Sequence, residues 1–400
     1  MEGLYQRKKV LILFFIALFI RIAFVLTLKN RFYFDDEFEY YRIAQNFLSC
    51  SGFIAGEGMK GFRPPLYPLF LSIFYLLRFN LFGIRIVQCI ISAITVVFIY
   101  LTGKKLFSER TGLWSGIIAS VYPFFIFYNG FLLTETLFIF LTVITIYSFL
   151  TLSERTTSSI RAGISLAMAG LCRPTMQLYL PVSLIHIACN KEQWKLKIKK
   201  MSLILLFFVL TLSPWVIRNY RVFGKFIPGT TMGGRVFWEG NNPYSEGGPC
   251  RYFPEEIEKM PEAERDSAYY KKTVEIIREN PYRFLWLLQN KFKRFWNVVP
   301  NALEFTKPLY RMISVMSFGM MLPFFVLGFI LTLQYKQALY IHSLIVLFTT
   351  FHILFLASIR YRVPIEPFYI ILAVYGFFWL SDRVSGIIKH YETICNHSCL

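Results

Sequence analysis

The chain has 400 residues, 55% of them hydrophobic and 17% charged, with 43 Lys plus Arg against 24 Asp plus Glu and a formal net charge of +19. Soluble chains carry roughly 25% charged residues and a membrane span needs about 20 mostly apolar ones, so the composition excludes an ordinary soluble protein. The 43 Phe and 24 Tyr exclude a disordered chain, and the basic excess is explained by cytoplasmic loops, with no nucleic acid as partner.

From the N-terminus, Arg7, Lys8 and Lys9 precede an apolar run over 10–28 without a small-residue cleavage site, which reads as a retained signal-anchor helix. Further apolar runs cover 84–102, 112–129, 135–152, 160–172, 175–190, 200–217, 309–333, 338–358 and 362–380. They predict an all-α polytopic membrane protein of about ten transmembrane helices, two of them short. The run 66–81 is ambiguous, since it follows Pro64-Pro65 and contains Pro68 and Arg78. If it does not cross, Arg7–Lys9, Lys104, Lys105, Arg110, Arg155, Arg161, the basic run 191–200, Lys336, Arg383 and Lys389 all share one side. The positive-inside rule makes that side the cytoplasm. We therefore read 66–81 as an interfacial or re-entrant helix, with both termini cytoplasmic and with 29–83 and 218–308 as outer segments. This divides the chain into a membrane domain at 1–217, an outer loop with amphipathic helices at 218–308, C-terminal transmembrane helices at 309–381 and a cytoplasmic tail at 382–400. The odd number of cysteines, 7, gives no disulfide framework, and Cys395, His397 and Cys399 in a terminal tail are too few for a metal site.

Charged residues in the outer segments carry the functional signal. Asp35, Asp36 and Glu37 open a helix in which Tyr40, Ile43, Ala44, Phe47 and Leu48 form an apolar stripe while Glu39, Arg42, Gln45 and Asn46 face away. Asp36 reads either as an N-cap with Glu39 at the third helical position or as a catalytic carboxylate, and the two are compatible. Arg63 precedes two prolines that fix the backbone, and its planar fork suits a phosphate as well as it suits snorkelling to lipid headgroups. Glu135 starts a span from outside, either satisfying the helix dipole or facing Asp36 across an outward cavity. Arg173 before Pro174 marks a turn, and with Arg63, Arg218, Arg360 and Arg362 it is a candidate to line an anion site at one level. Glu255, Glu256, Glu262, Glu264 and Asp266 alternate with Lys and Arg, the pattern of a solvated helix face.

Six motifs in order resemble one family. They are Asp36-Glu37-x-x-Tyr40-x-x-Ile43-Ala44, Arg63-Pro64-Pro65-Leu66-Tyr67-Pro68, Thr134-Glu135-x-Leu137-Phe138, Arg173-Pro174, Pro214-Trp215-x-x-Arg218-Asn219 and Trp238-x-Gly240-Asn241. Together they look like bacterial GT-C glycosyltransferases related to protein O-mannosyltransferases and to the lipid A aminoarabinose transferase. The segment 281–296 also looks like the surface helix such proteins carry before the eighth span.

The resemblance implies a transferase in the bacterial plasma membrane. It would move a sugar from a polyprenyl-phosphate donor to a lipid, glycan or protein acceptor on the extracytoplasmic face. Asp36 matches the family's catalytic carboxylate, with Asp35 as an alternative base and Glu135 as a helper. The five arginines would hold the donor phosphate, and Glu37, Tyr40, Tyr67, Trp238 and Asn241 would meet substrate. A direct displacement inverts the anomeric centre and needs no second carboxylate as nucleophile. No metal site is assigned, and a divalent cation bridging Asp36 and Glu135 is optional. A lipid-linked substrate transporter or flippase, or a lipid-linked glycan polymerase or ligase, are the alternatives.

Overall fold

A computed structural model of the chain describes residues 2–153, 155–301 and 307–398, with side-chain surroundings over 6–153, 155–301 and 307–387. Cys395, His397 and Cys399 lie outside those described side chains. The protein is an all-α polytopic membrane protein, with no strand among the described residues.

The N-terminal half runs α1 (Glu2–Leu26), α2 (Asp35–Leu48), α3 (Leu66–Leu76), α4 (Leu81–Leu106), α5 (Glu109–Val121), α6 (Pro123–Asn129), α7 (Thr134–Leu150), α8 (Thr156–Cys172), α9 (Tyr179–Ala188) and α10 (Trp194–Phe223). The segment that the sequence reading places outside follows with α11 (Gly233–Asn241), α12 (Glu255–Glu258), α13 (Glu262–Glu279) and α14 (Pro281–Phe295). The chain closes with α15 (Pro308–Ser314), α16 (Met320–Leu331), α17 (Leu339–Leu354), α18 (Ile359–Arg362) and α19 (Glu366–Ser398).

Every apolar run read from the sequence is helical, but their lengths differ. Among the described residues five helices are long and apolar enough to cross a membrane, or up to 6 if α5 and α6, bent by 51°, count as one span. The bend falls at Pro123, which lacks an amide hydrogen and starts α6 at its first position. α7 and α17 are apolar but shorter, with 17 and 16 residues. Eleven residues, at about 1.5 Å each, keep α3 from spanning, and it packs against α2 instead.

Neighbours pack in sequence order: α1 on α4 and α5, α4 on α7, α7 on α8, α8 on α10, and α16 on α19. Small residues set the closest crossing. A methyl group on Gly328 of α16 would stand 2.0 Å from the Leu372 carbonyl oxygen, and one on Gly376 of α19 would stand 2.2 Å from that of Phe324. The two backbones therefore touch directly, as lipid-embedded helices do when packing supplies the attraction. Arg21, fully buried within α1, donates to Ser92 Oγ at 2.6 Å and to the carbonyls of Ala17, Ala119 and Ser120, so its charge is absorbed by hydrogen bonds.

The bundle ends differ. At one, Lys9 and Lys104 pair with Glu109 at 3.0 and 2.6 Å, and Arg110 pairs with Asp382. At the other, α2 and α3 fold over the bundle, and the outer segment forms a small core of Trp238, Ile257 and Tyr269.

Candidate active site

The site begins with the placement of α2. Its N-cap is Phe34, not Asp36, and the residue that reaches back is Glu37. Glu37 is fully buried, and its carboxylate accepts the amide hydrogens of Tyr33 at 2.6 Å, Phe34 at 3.0 Å and Leu132 at 2.8 Å. One side chain thus caps α2 and ties it to the loop that leads into α7. Arg85 of α4 holds the connection between α1 and α2, donating to the carbonyls of Lys29 and Arg31 at 2.8 Å each. With capping done by Glu37, Asp36 is left to point inward.

Both Asp36 oxygens face guanidinium groups. Arg63 Nη2 donates to Oδ1 at 2.7 Å and Arg360 Nη1 to Oδ2 at 2.7 Å. Arg63 also gives its Nε to Glu39 at 2.6 Å. Arg360 Nε contacts Glu135 Oε1, the same oxygen that receives Arg173 Nη2 at 2.6 Å. Arg173 further donates to the Thr134 hydroxyl at 3.0 and 2.8 Å. Arg360 is therefore the bridge between Asp36 and Glu135. Three carboxylates and three guanidiniums balance in charge.

This cluster lies on a cavity of about 660 Å³, lined by Asp36, Arg63, Arg173 and Arg360 from the bundle and by Asp266 and Tyr270 from α13. Burial pushes the Asp36 carboxyl up, but the charges of Arg63 and Arg360 outweigh it and hold the group at about 2. Asp36 is therefore ionised throughout the neutral range. Burial pushes the Tyr40 phenol up to about 12, so it stays protonated on the cavity wall beneath Arg63, whose guanidinium sits 5.3 Å from the ring centre. Asp266 accepts the Gly234 amide hydrogen at 2.7 Å, and burial raises it to about 6.

Not every residue singled out in the sequence reaches the cavity. Glu135 is fully buried behind it as the counterion of Arg173 and Arg360. Asp35 is exposed and makes no contact with this cluster. Arg218 donates to the carbonyls of Lys60 at 2.7 Å and Phe53 at 3.1 Å and stacks on Trp215, so it holds the first outer segment to α10. Arg362 is fully buried, paired with Glu366 at 2.8 Å and bonded to the carbonyls of Phe295 and Asn297. One residue decides their fates: Arg360 and Arg362 point to different sides of the short helix α18. Tyr67 donates to Gln88 at 2.8 Å inside the bundle. Trp238 donates to the Tyr252 carbonyl at 2.7 Å in the small outer core. Asn241 accepts from buried Lys291 at 2.6 Å and donates to the Leu354 carbonyl at 3.0 Å.

Three residues that the sequence pattern places towards solvent turn inward. Glu39 turns inward to Arg63, a position available from its helical spacing to Asp36. Glu262 and Asp266 form the inner face of α13. Among the described residues no three His, Cys, Asp or Glu gather as metal ligands. A divalent cation between Asp36 and Glu135 would have to displace Arg360 and stand against two more guanidiniums, so the donor set does not suit one.

Residues 62–217 match the family model described as "Dolichyl-phosphate-mannose-protein mannosyltransferase". No curated protein matches the chain. Among solved structures it resembles the archaeal oligosaccharyltransferase AglB from Archaeoglobus fulgidus in complex with an inhibitory peptide and a dolichol-phosphate. That likeness has a TM-score of 0.61 at 12% identity and covers 98% of this chain and 52% of that one. The apo form of the Archaeoglobus fulgidus oligosaccharyltransferase superposes with a TM-score of 0.59 at 14% identity, over 96% and 52%. The fold is GT-C. The chain spans about half the length of the oligosaccharyltransferases it resembles. A looser likeness, TM-score 0.42 at 14% identity over 96% and 78%, is to ArnT from Cupriavidus metallidurans bound to undecaprenyl phosphate, and it adds nothing to the fold assignment. The stretch matched by the family model carries Arg63, Glu135 and Arg173, while Asp36 and Arg360 lie on either side of it.

Proposed function

We propose that this protein is a membrane glycosyltransferase that moves a sugar from a polyprenyl-phosphate donor to an acceptor hydroxyl at the outer face of a bacterial plasma membrane, with inversion. The observation that carries this reading is Asp36, ionised, on a cavity wall with both oxygens held by Arg63 and Arg360. In support, the matched family model describes a dolichyl-phosphate-mannose-dependent enzyme. The basic residues Lys9, Lys104 and Arg110 gather at the opposite bundle end, as the positive-inside rule asks of the cytoplasmic side.

The chemistry follows from competition for the arginines. A donor phosphodiester is an anion, and it fits the same guanidiniums that hold Asp36 in its absence. As the phosphate takes hydrogen bonds from Arg360 and Arg63, Asp36 loses part of what keeps it at about 2 and gains basicity. The acceptor hydroxyl then gives its proton to Asp36 while its oxygen bonds to the anomeric carbon. The bond from that carbon to the phosphate oxygen breaks, and its electron pair leaves with polyprenyl phosphate. Arg63, Arg173 and Arg360 stabilise the charge growing on the leaving group, already oriented by Glu39 and Glu135. Asp35, exposed and outside this network, is the weaker choice of base.

Incubating the purified protein with a panel of polyprenyl-phosphate sugars and identifying the bound donor by mass spectrometry tests the reading. Binding of one class followed by transfer is expected. Movement of the lipid across a vesicle membrane without any transfer would overturn it in favour of a flippase.

A further inference from the structure

Arg63 sits in an irregular segment between Met59 and Pro65, where no helix fixes the backbone. Something else must hold it, because a guanidinium placed to about 0.5 Å is worth little on a mobile loop. Three separate elements grip the two residues at 60 and 61. Glu262, in the first turn of α13, accepts the Lys60 amide hydrogen on Oε2 at 2.6 Å and the Gly61 amide hydrogen on Oε1 at 2.7 Å. Its Oε1 also receives the Thr231 hydroxyl. Arg218, near the end of α10, donates to the Lys60 carbonyl at 2.7 Å, and the Thr231 amide donates to the Gly61 carbonyl at 2.9 Å. Every backbone polar group of this dipeptide is thereby used, and only Glu262 serves the two amide hydrogens.

The fit is also steric. A methyl group on Gly61 would lie 2.9 Å from Phe223 Cε2 and 3.0 Å from Thr231 Cγ2. Glycine is needed there for close approach, so the turn cannot slide along α10 without breaking the bonds to Glu262. Two residues downstream the same strand of chain delivers Arg63 to Asp36 and Glu39.

We infer that Glu262 is a positioning residue for the transfer reaction, acting through Arg63: by holding the Lys60 and Gly61 amides it fixes the guanidinium against the site where the donor phosphate binds. The inference rests on the phosphate role given to Arg63 above. It assigns work to the outer segment that its charge pattern hides. α13 is the outer jaw of the donor site, since the same helix face carries Asp266 and Tyr270 to the cavity. A carboxylate is the group that suits the task. Two parallel amide hydrogens converge on its two oxygens, whereas a glutamine can serve only one and turns a donor towards the other.

The experiment is a double-mutant cycle on the full-length protein in detergent micelles, read as the affinity for undecaprenyl phosphate. The variants are Glu262→Ala, Arg63→Lys and the pair, with Glu262→Gln as the conservative control. Thermal unfolding of each variant confirms that it is folded. Glu262→Ala is expected to weaken binding about tenfold, Glu262→Gln to recover part of that, and Glu262→Ala in the Arg63→Lys background to add less than about twofold. Wild-type affinity in Glu262→Ala overturns the inference, and so does a loss that multiplies in full with that of Arg63→Lys, because either result separates Glu262 from Arg63. A folded Arg63→Lys that binds like wild type instead refutes the phosphate role of Arg63, and a wild-type protein that fails to bind the probe refutes the proposed function itself.

Discussion

Replacing Asp36 by Asn gives effects of opposite sign on binding and on transfer. Asparagine keeps the shape and one carbonyl oxygen but removes the charge that Arg63 and Arg360 share with their other partners, Glu39 and Glu135. The two guanidiniums hold the carboxyl at about 2 against an ordinary 3.8, a net coupling of about 2 kcal/mol once burial has been offset. In the wild type an incoming phosphate must take over those interactions. In Asp36→Asn that competition is gone, so undecaprenyl phosphate should bind more tightly, by up to about 30-fold at 1.4 kcal/mol per tenfold. Sugar transfer should fall by about 10²–10⁴-fold with loss of the base. Calorimetric titration gives the first quantity and release of radiolabelled product the second. A variant that binds the phosphate more weakly than wild type would falsify the competition, and one that transfers at the wild-type rate moves the base elsewhere.

Three further outcomes follow from the packing. Glu37→Gln leaves one of three buried amide hydrogens without an acceptor and should cost about 1–3 kcal/mol, seen as a lowered midpoint of thermal unfolding together with lost transfer; an unchanged midpoint refutes the anchoring role. Lys291, fully buried, is held by burial at about 7 against 10.5. The folded state therefore binds fewer protons than the unfolded one between those values, and stability should rise as pH increases above 7, by up to about 1.4 kcal/mol per unit, a slope that Lys291→Met should abolish. Gly376→Leu drives a side chain into the backbone of α16 and should unfold the α16–α19 pair or lower the yield of inserted protein; wild-type thermal stability would contradict that packing.

Sequence reasoning reached the helical runs because twenty apolar residues announce themselves regardless of partners. It singled out Asp36, Arg63, Glu135, Arg173 and Arg360, which meet in one ion-pair cluster, because charges at the ends of spans have few structural excuses. It did not separate Arg360 from Arg362. Helical periodicity places two such residues on different faces, but which face meets the cavity depends on how α18 docks. Glu37, expected to meet substrate, takes the capping position offered to Asp36 for a similar reason, since either carboxylate suits a helix start and the approach of Leu132 selects Glu37 as the anchor. Glu262 was invisible because its partners are backbone amides, about two hundred residues away along the chain, and amides leave no trace in residue type.

Arg360 emerges during synthesis more than two hundred residues after Asp36 and Glu135, the acids it joins. Until it arrives, Asp36, Glu39 and Glu135 face only Arg63 and Arg173, and the nascent centre carries an uncompensated negative charge that repels a phosphate. The centre is therefore balanced in charge only after segments far apart in the sequence have met.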